Sequence, residues 1–167
     1  GDNEFNDTTS LATPVTFDAS GQATFAGVFV GNGTQAALDV DIYRIDMARG
    51  GQITAEVVAR RLGTPSSLDS VIRLFDANGV QLAINDQFFG QDSYIDFFVR
   101  TAGTYYIGVS GFGNATYNAT NLSGRTGPQS QGAYTLKLGV ELSRNDVVDY
   151  SGTTNAVTGQ PAFPINI

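Results

Sequence analysis

Asp41-Ile42-Tyr43-Arg44-Ile45-Asp46-Met47, followed after a short break by Gln52-Ile53-Thr54-Ala55-Glu56-Val57, is the stretch that decides the fold class. Apolar residues recur at every second position, so Tyr43, Ile45 and Met47 share one face while Arg44 and Asp46 share the other. Ile53, Ala55 and Val57 alternate in the same way with Thr54 and Glu56. A repeat of two is the signature of a half-buried strand, because successive Cβ atoms point to opposite sides of a sheet. Arg49-Gly50-Gly51 between them reads as a tight turn.

The pattern extends in both directions. Ser70–Phe75 predicts a strand, Asp76-Ala77-Asn78-Gly79 a turn, and Val80–Ile84 the returning strand, Asn-Gly being a strong hairpin signal. Ser93–Val99, Thr104–Ser110 and Gly132–Val140 repeat the alternation, and Gln22–Val30 predicts an earlier strand. About eight short strands separated by Gly, Asn and Asp turns imply an all-β antiparallel sandwich, since one sheet cannot bury this much apolar surface on a single face. No long amphipathic helix and no internal repeat is found. Three parts follow: an acidic N-terminal segment over 1–13, a sandwich over 14–141, and an extended tail over 142–167. Gly111–Gln131 is a Gly/Asn/Thr/Ser-rich excursion, too long for an ordinary hairpin loop.

Composition narrows the function. The chain has 167 residues, no cysteine, no histidine and a formal net charge of −7. Such a surface repels phosphate backbones, which argues against nucleic-acid binding, and no apolar run has the length of a membrane-spanning helix. Without histidine or cysteine, Ser-His-Asp and Cys-His systems and the usual His-based zinc sites are excluded. The single lysine, Lys137, falls on the outward side of a strand. The expectation is therefore a protein that is not an enzyme. The start at Gly1, with no basic-then-apolar leader, suits an exported chain after signal removal or an excised domain. A secreted, extracellular or cell-surface location is expected.

Calcium takes six to eight oxygen ligands from carboxylates, amides and carbonyls. Asp2-Asn3-Glu4-Phe5-Asn6-Asp7 is nearly all such residues, and Asp39-Val40-Asp41 places two carboxylates on the same side of an extended segment. Solvated acidity at a chain end is the plain alternative. Asp69, Asp86 and Asp92 around the central hairpin are candidates for a second metal site, with loop chemistry as their other explanation. Asp76 and Asn78 are accounted for as turn residues.

Taken together, Asp-Val-Asp-Ile-Tyr-Arg-Ile-Asp (39–46), Ser-Leu-Asp-Ser-Val-Ile-Arg-Leu-Phe-Asp-Ala-Asn-Gly (67–79), Ile-Asn-Asp (84–86), Ala-Gly-Thr-Tyr-Tyr-Ile-Gly-Val-Ser (102–110) and Gly-Ala-Tyr-Thr-Leu (132–136) resemble the bacterial pre-peptidase C-terminal (PPC) domain. Glu-Phe-Asn-Asp (4–7) looks like the Glu-Pro-Asn-Asp lead-in common before such domains, with Phe5 in place of proline. The resemblance implies a jelly-roll-like sandwich appended to secreted proteases and other exoproteins. Through the related collagen-binding domains of clostridial collagenases it implies calcium as cofactor, with Glu4, Asn6, Asp7, Asp39 and Asp41 as ligands.

Two functions compete. The first expectation is a calcium-stabilised structural or assembly unit of an extracellular surface, matrix or filament. In it the terminal tails self-associate, Phe163, Ile165 and Ile167 adding a strand to a neighbour. The alternative is a targeting module of a larger secreted enzyme such as a protease. It would bind extracellular protein or polysaccharide through Phe88, Phe89, Phe112 and Tyr117. Asn32, Asn114, Asn118 and Asn121 head Asn-X-Ser/Thr sequons, which are polar loop composition in a bacterium and sugar acceptors in a glycosylating host.

Overall fold

The computed structural model describes residues 5–143. Nine strands run in chain order: β1 (Thr13–Pro14), β2 (Gln22–Val30), β3 (Asp41–Met47), β4 (Gly51–Val58), β5 (Ser70–Phe75), β6 (Gln81–Asn85), β7 (Tyr94–Val99), β8 (Gly103–Gly111) and β9 (Gly132–Leu142). They form two sheets, one in the order β1-β3-β8-β5-β6 and the other β2-β9-β4-β7. All pairings are antiparallel except the short β1–β3 contact. The fold is the expected all-β sandwich.

Alternation explains the layers. Tyr43, Ile45 and Met47 from β3 are buried against Ile53, Ala55 and Val57 from β4, and Ile107, Leu74, Tyr134 and Leu136 join the same core. Arg44, Asp46 and Lys137 face outward. β5 is the exception, because all six of its residues are buried. Its second face is covered by part of the 111–131 connection: Tyr117 and Ala119 pack on Phe75, Val40 and Ile42 as a satellite core. The Arg73 guanidinium lies between the Phe75 and Tyr117 rings, 4.6 and 4.4 Å from their centroids.

Arg49-Gly50-Gly51 turns the chain between layers and does not close a hairpin, since β3 and β4 belong to different sheets. The chain crosses between layers there, and again at β4–β5, β6–β7, β7–β8 and β8–β9. Among the described strands only β5–β6 is a true hairpin. Its turn is the Asn78-Gly79 pair, with Gly79 at φ 77° and Asp76 Oδ1 accepting the N–H groups of Asn78 and Val80. The 111–131 segment also crosses between layers, from β8 to β9, and covers the outer face of β5 on the way.

That segment approaches the sheet very closely. A Cβ on Gly111 would overlap the main-chain carbonyl of Ser130, a contact no side-chain movement relieves. Gly111→Ala is expected to lower stability by about 3 kcal/mol or more, at or above the top of the usual overpacking range. Thermal unfolding of the variant checks this, and a melting point equal to that of the parent would refute the contact.

Candidate functional site

The strand registers bring most of the candidate residues to one end of the sandwich. β3 starts at Asp41 opposite Val109 of β8, and β5 starts at Ser70 opposite Gly111. β4 ends at Val58 opposite Thr135 near the start of β9, and β7 begins beside Glu56. Asp39, Asp69, Asp86, Asp92 and the aromatic residues 88, 89 and 112 sit on connections that meet here, and Asp41 is the first residue of β3.

Of the expected calcium ligands, Glu4 lies outside the described residues. Asn6 is buried, its Nδ2 donates to Thr13 Oγ1 at 3.3 Å, and its carbonyl accepts the Ile42 N–H at 2.9 Å. Asp7 accepts the Val40 N–H at 3.2 Å and pairs with Arg125 at 3.3 Å. Asp39 accepts the Gly31 N–H at 2.6 Å, and burial together with the nearby Asp7 charge pushes its carboxyl up to about 6. Asp41 takes part in a different network. Its Oδ2 accepts the Tyr134 hydroxyl at 2.5 Å, and the Tyr134 and Tyr43 hydroxyls are 2.8 Å apart in the core. Burial and the Asp41 charge hold the Tyr134 phenol above its ordinary range. So Asp7 and Asp39 are neighbours, while Asp41 faces the tyrosines.

Asp7, Asp39 and Asp41, the described carboxylates of this set, do not converge as one group of three, and among the described residues no group of three carboxylates does. The nearby main-chain oxygens also have donors: Leu38 O accepts Asn114 Nδ2 and Arg125 Nη1, and Asp39 O accepts Gln129 Nε2. A cation needing six to eight oxygens would have to displace them.

Asp69, Asp86 and Asp92 are not brought together either. Asp92 is fully buried. Its Oδ1 accepts the N–H groups of Ala59 and Arg60 at 3.0 and 2.8 Å, and its Oδ2 accepts the N–H and Nε of Arg61 at 3.3 and 2.8 Å. Asp69 Oδ2 accepts the Gln91 amide, and the Asp69 carbonyl accepts the Phe112 N–H. Asp86 lines a cavity of about 430 Å³ with Val71, Ile84 and Phe112.

The aromatic candidates divide. Phe88 and Phe89 are 57% and 45% exposed, and Phe112 is 58% exposed. Tyr117 is a correction: it is 2% exposed and belongs to the satellite core, because its polar loop folds back over β5. Phe88, Phe89 and Tyr94 form one cluster with ring centroids 4.7, 5.0 and 6.3 Å apart. The Arg61 guanidinium lies 4.4 Å from the Phe89 ring centroid. Sequence reasoning missed the two residues that hold this cluster, Arg61 and Tyr94. Phe163, Ile165 and Ile167 lie outside the described residues.

Residues 39–111 match the model of the bacterial pre-peptidase C-terminal domain. This is the family to which the motifs pointed. The chain is 38% identical over 107 residues to a probable subtilase-type serine protease of Deinococcus radiodurans. That alignment covers 64% of this chain but only 14% of the protease. Among solved structures, the PliG periplasmic inhibitor of g-type lysozyme from Aeromonas hydrophila superposes with TM-score 0.52 at 15% identity, covering 78% of this chain and 96% of that one. It shares the fold. The PPC domain of a Bacillus anthracis collagenase superposes with TM-score 0.45 at 16% identity, over 78% and 94% of the two chains.

Asp92 is the tie between the 59–62 turn and the aromatic loop. Asp92→Ala leaves three main-chain N–H groups without their acceptor, and a stability loss of about 3 kcal/mol is expected. Limited proteolysis checks the local effect: cleavage within 86–93 should appear in the variant before any elsewhere. Cleavage spread evenly over the chain would contradict it.

Proposed function

We infer that this chain is a non-catalytic accessory module of a larger secreted enzyme of the protease class, and that it docks that enzyme on extracellular protein. Two lines support the reading. The PPC match and the protease relative make an accessory role a better account than a filament subunit, which reverses the order the sequence suggested. The absence of histidine and cysteine removes the commonest catalytic groups.

The observation that carries the docking role is the aromatic knuckle of Phe88, Phe89 and Tyr94. Exposed rings are costly to leave in water and are the residue type that dominates protein contacts. These rings are also held in place. Arg61 is fixed by Asp92 and by Glu56 at 2.7 Å, and it lies against Phe89. The N–H groups of Phe88 and Phe89 both bond to the Asp92 carbonyl. A contact surface fixed before binding loses less side-chain entropy on docking. Protein is favoured over polysaccharide because the cluster has two phenylalanines, which lack the polar rim that sugar hydroxyls need.

Co-sedimentation of the chain with insoluble protein and with insoluble polysaccharide tests this. Retention on protein is expected. Phe88→Ala/Phe89→Ala should weaken it about 10-fold or more, with the melting point nearly unchanged because both rings are exposed. Retention on polysaccharide alone would replace the ligand class. No retention, with elution as a large assembly, would restore the structural reading.

A further inference from the structure

The 111–131 segment does more than cover β5. It sends three side chains into the stretch 36–39 that precedes β3. Asn114 Nδ2 donates to the carbonyls of Leu38 and Asp39 at 3.2 and 3.5 Å. Gln129 Nε2 donates to Asp39 O at 2.8 Å, while its Oε1 accepts the Gly111 N–H at 2.8 Å. Arg125 Nη1 donates to Leu38 O at 2.9 Å, and its Nη2 lies 3.3 Å from Asp7 Oδ2. The Arg125 side chain is only 6% exposed.

We propose that Arg125 is the structural cation at this end of the sandwich, joining the N-terminal segment to the β2–β3 connection so that the domain is stable without a divalent metal. The resemblance to the PPC family led to the expectation of calcium here, and the chain's own residues point to a different solution. A guanidinium has several N–H donors in a rigid plane, so it can serve a carbonyl and a carboxylate at once. It neutralises Asp7 where solvent access is poor. Asn114 and Gln129 meet the remaining carbonyls without adding charge. The donor set is carried by a loop that is itself locked: Asn114 Oδ1 accepts the Thr126 N–H at 3.0 Å, and Ser110 Oγ donates to the Asn114 carbonyl at 2.7 Å. The N-terminal segment is held from the same loop, through Thr9 N–H to Ala119 O at 2.8 Å. Asn114, fully buried, is therefore a structural residue and not a sugar acceptor, despite its sequon.

Thermal unfolding in millimolar calcium and in excess chelator tests the proposal. The parent chain should melt at the same temperature in both. Arg125→Ala should melt about 5 °C lower or more, and Asp7→Asn in that background should add little, because the two residues act as one unit. A parent chain whose melting point rises with calcium and falls with chelator would overturn the proposal. So would an Arg125→Ala chain that melts with the parent. If Arg125→Ala does not fold, the calcium response of the parent still decides. None of these outcomes bears on retention by protein, so this proposal and the docking role fail separately.

Discussion

A sandwich whose chain crosses between layers at nearly every turn leaves main-chain N–H and C=O groups unpaired wherever strands enter and leave the sheets. Buried groups of this kind must find partners, since each orphan costs roughly what a lost hydrogen bond costs. Here side chains provide them. Asp92 serves three consecutive N–H groups of the 59–61 turn, Asp39 serves Gly31, Asp7 serves Val40, and Asp18 Oδ1 accepts from Ser20 and Gln22. Carbonyls are met by Asn114, Gln129 and Arg125. The abundance of Asp and the scarcity of Lys follow from this demand. A short carboxylate reaches a nearby N–H with little loss of rotamer freedom, whereas lysine offers no acceptor.

The same demand positions the aromatic knuckle. A loop that carries exposed rings gains nothing from core packing, so its conformation has to come from polar contacts. Asp92 supplies them from inside, with the Ser70 and Ser93 hydroxyls 2.8 Å apart beside it. Asp69 joins this loop to the start of the 111–131 connection, through Gln91 on one side and Phe112 on the other. Three connections are thereby fastened to one another at a single end of the sheets.

The strands were legible in the sequence because burial on one face imposes a period of two that local composition cannot hide. Asp41–Met47 and Ser70–Phe75 are found with the bounds the alternation implied, and Tyr43, Ile45, Met47, Ile53, Ala55, Val57, Tyr134, Leu136 and Leu138 face inward as expected, with Val140 half-buried. Pairing was not legible. Alternation says which side a residue faces but not which strand lies beside it, so the tight turn read between β3 and β4 did not reveal that the chain changes sheets there. The site was legible to a similar limit. The spacing of Asp39 and Asp41 put two carboxylates on the same side of an extended segment, but their partners are far away in sequence: Tyr134 of β9 meets Asp41, and Arg125, which pairs with Asp7 beside Asp39, lies 118 residues from Asp7. Tyr117 was misread because a Gly/Asn/Thr/Ser-rich loop suggests solvent, and only the fully buried β5 shows that something must cover its outer face. A signal for Arg125 did exist. It is the one basic residue in a long polar loop of a strongly acidic chain, and such a lone charge calls for a partner.

Fastening and the proposed docking face thus share one end of the molecule but use different residues. Asn114, Arg125 and Gln129 close the sandwich, and Phe88, Phe89 and Phe112 remain outside it. This separation has a consequence for an accessory module. The exposed rings can change with the ligand at little cost in stability, because no core contact depends on them. The residues beneath them cannot, because each holds main-chain groups of a neighbouring connection in place. Arg61 is the point where the two sets touch: it completes the Asp92 anchor and also forms the base on which Phe89 rests. Under the docking role proposed above, a ligand pressing on Phe89 would press on a fixed ion pair, and the surface would meet its partner already shaped.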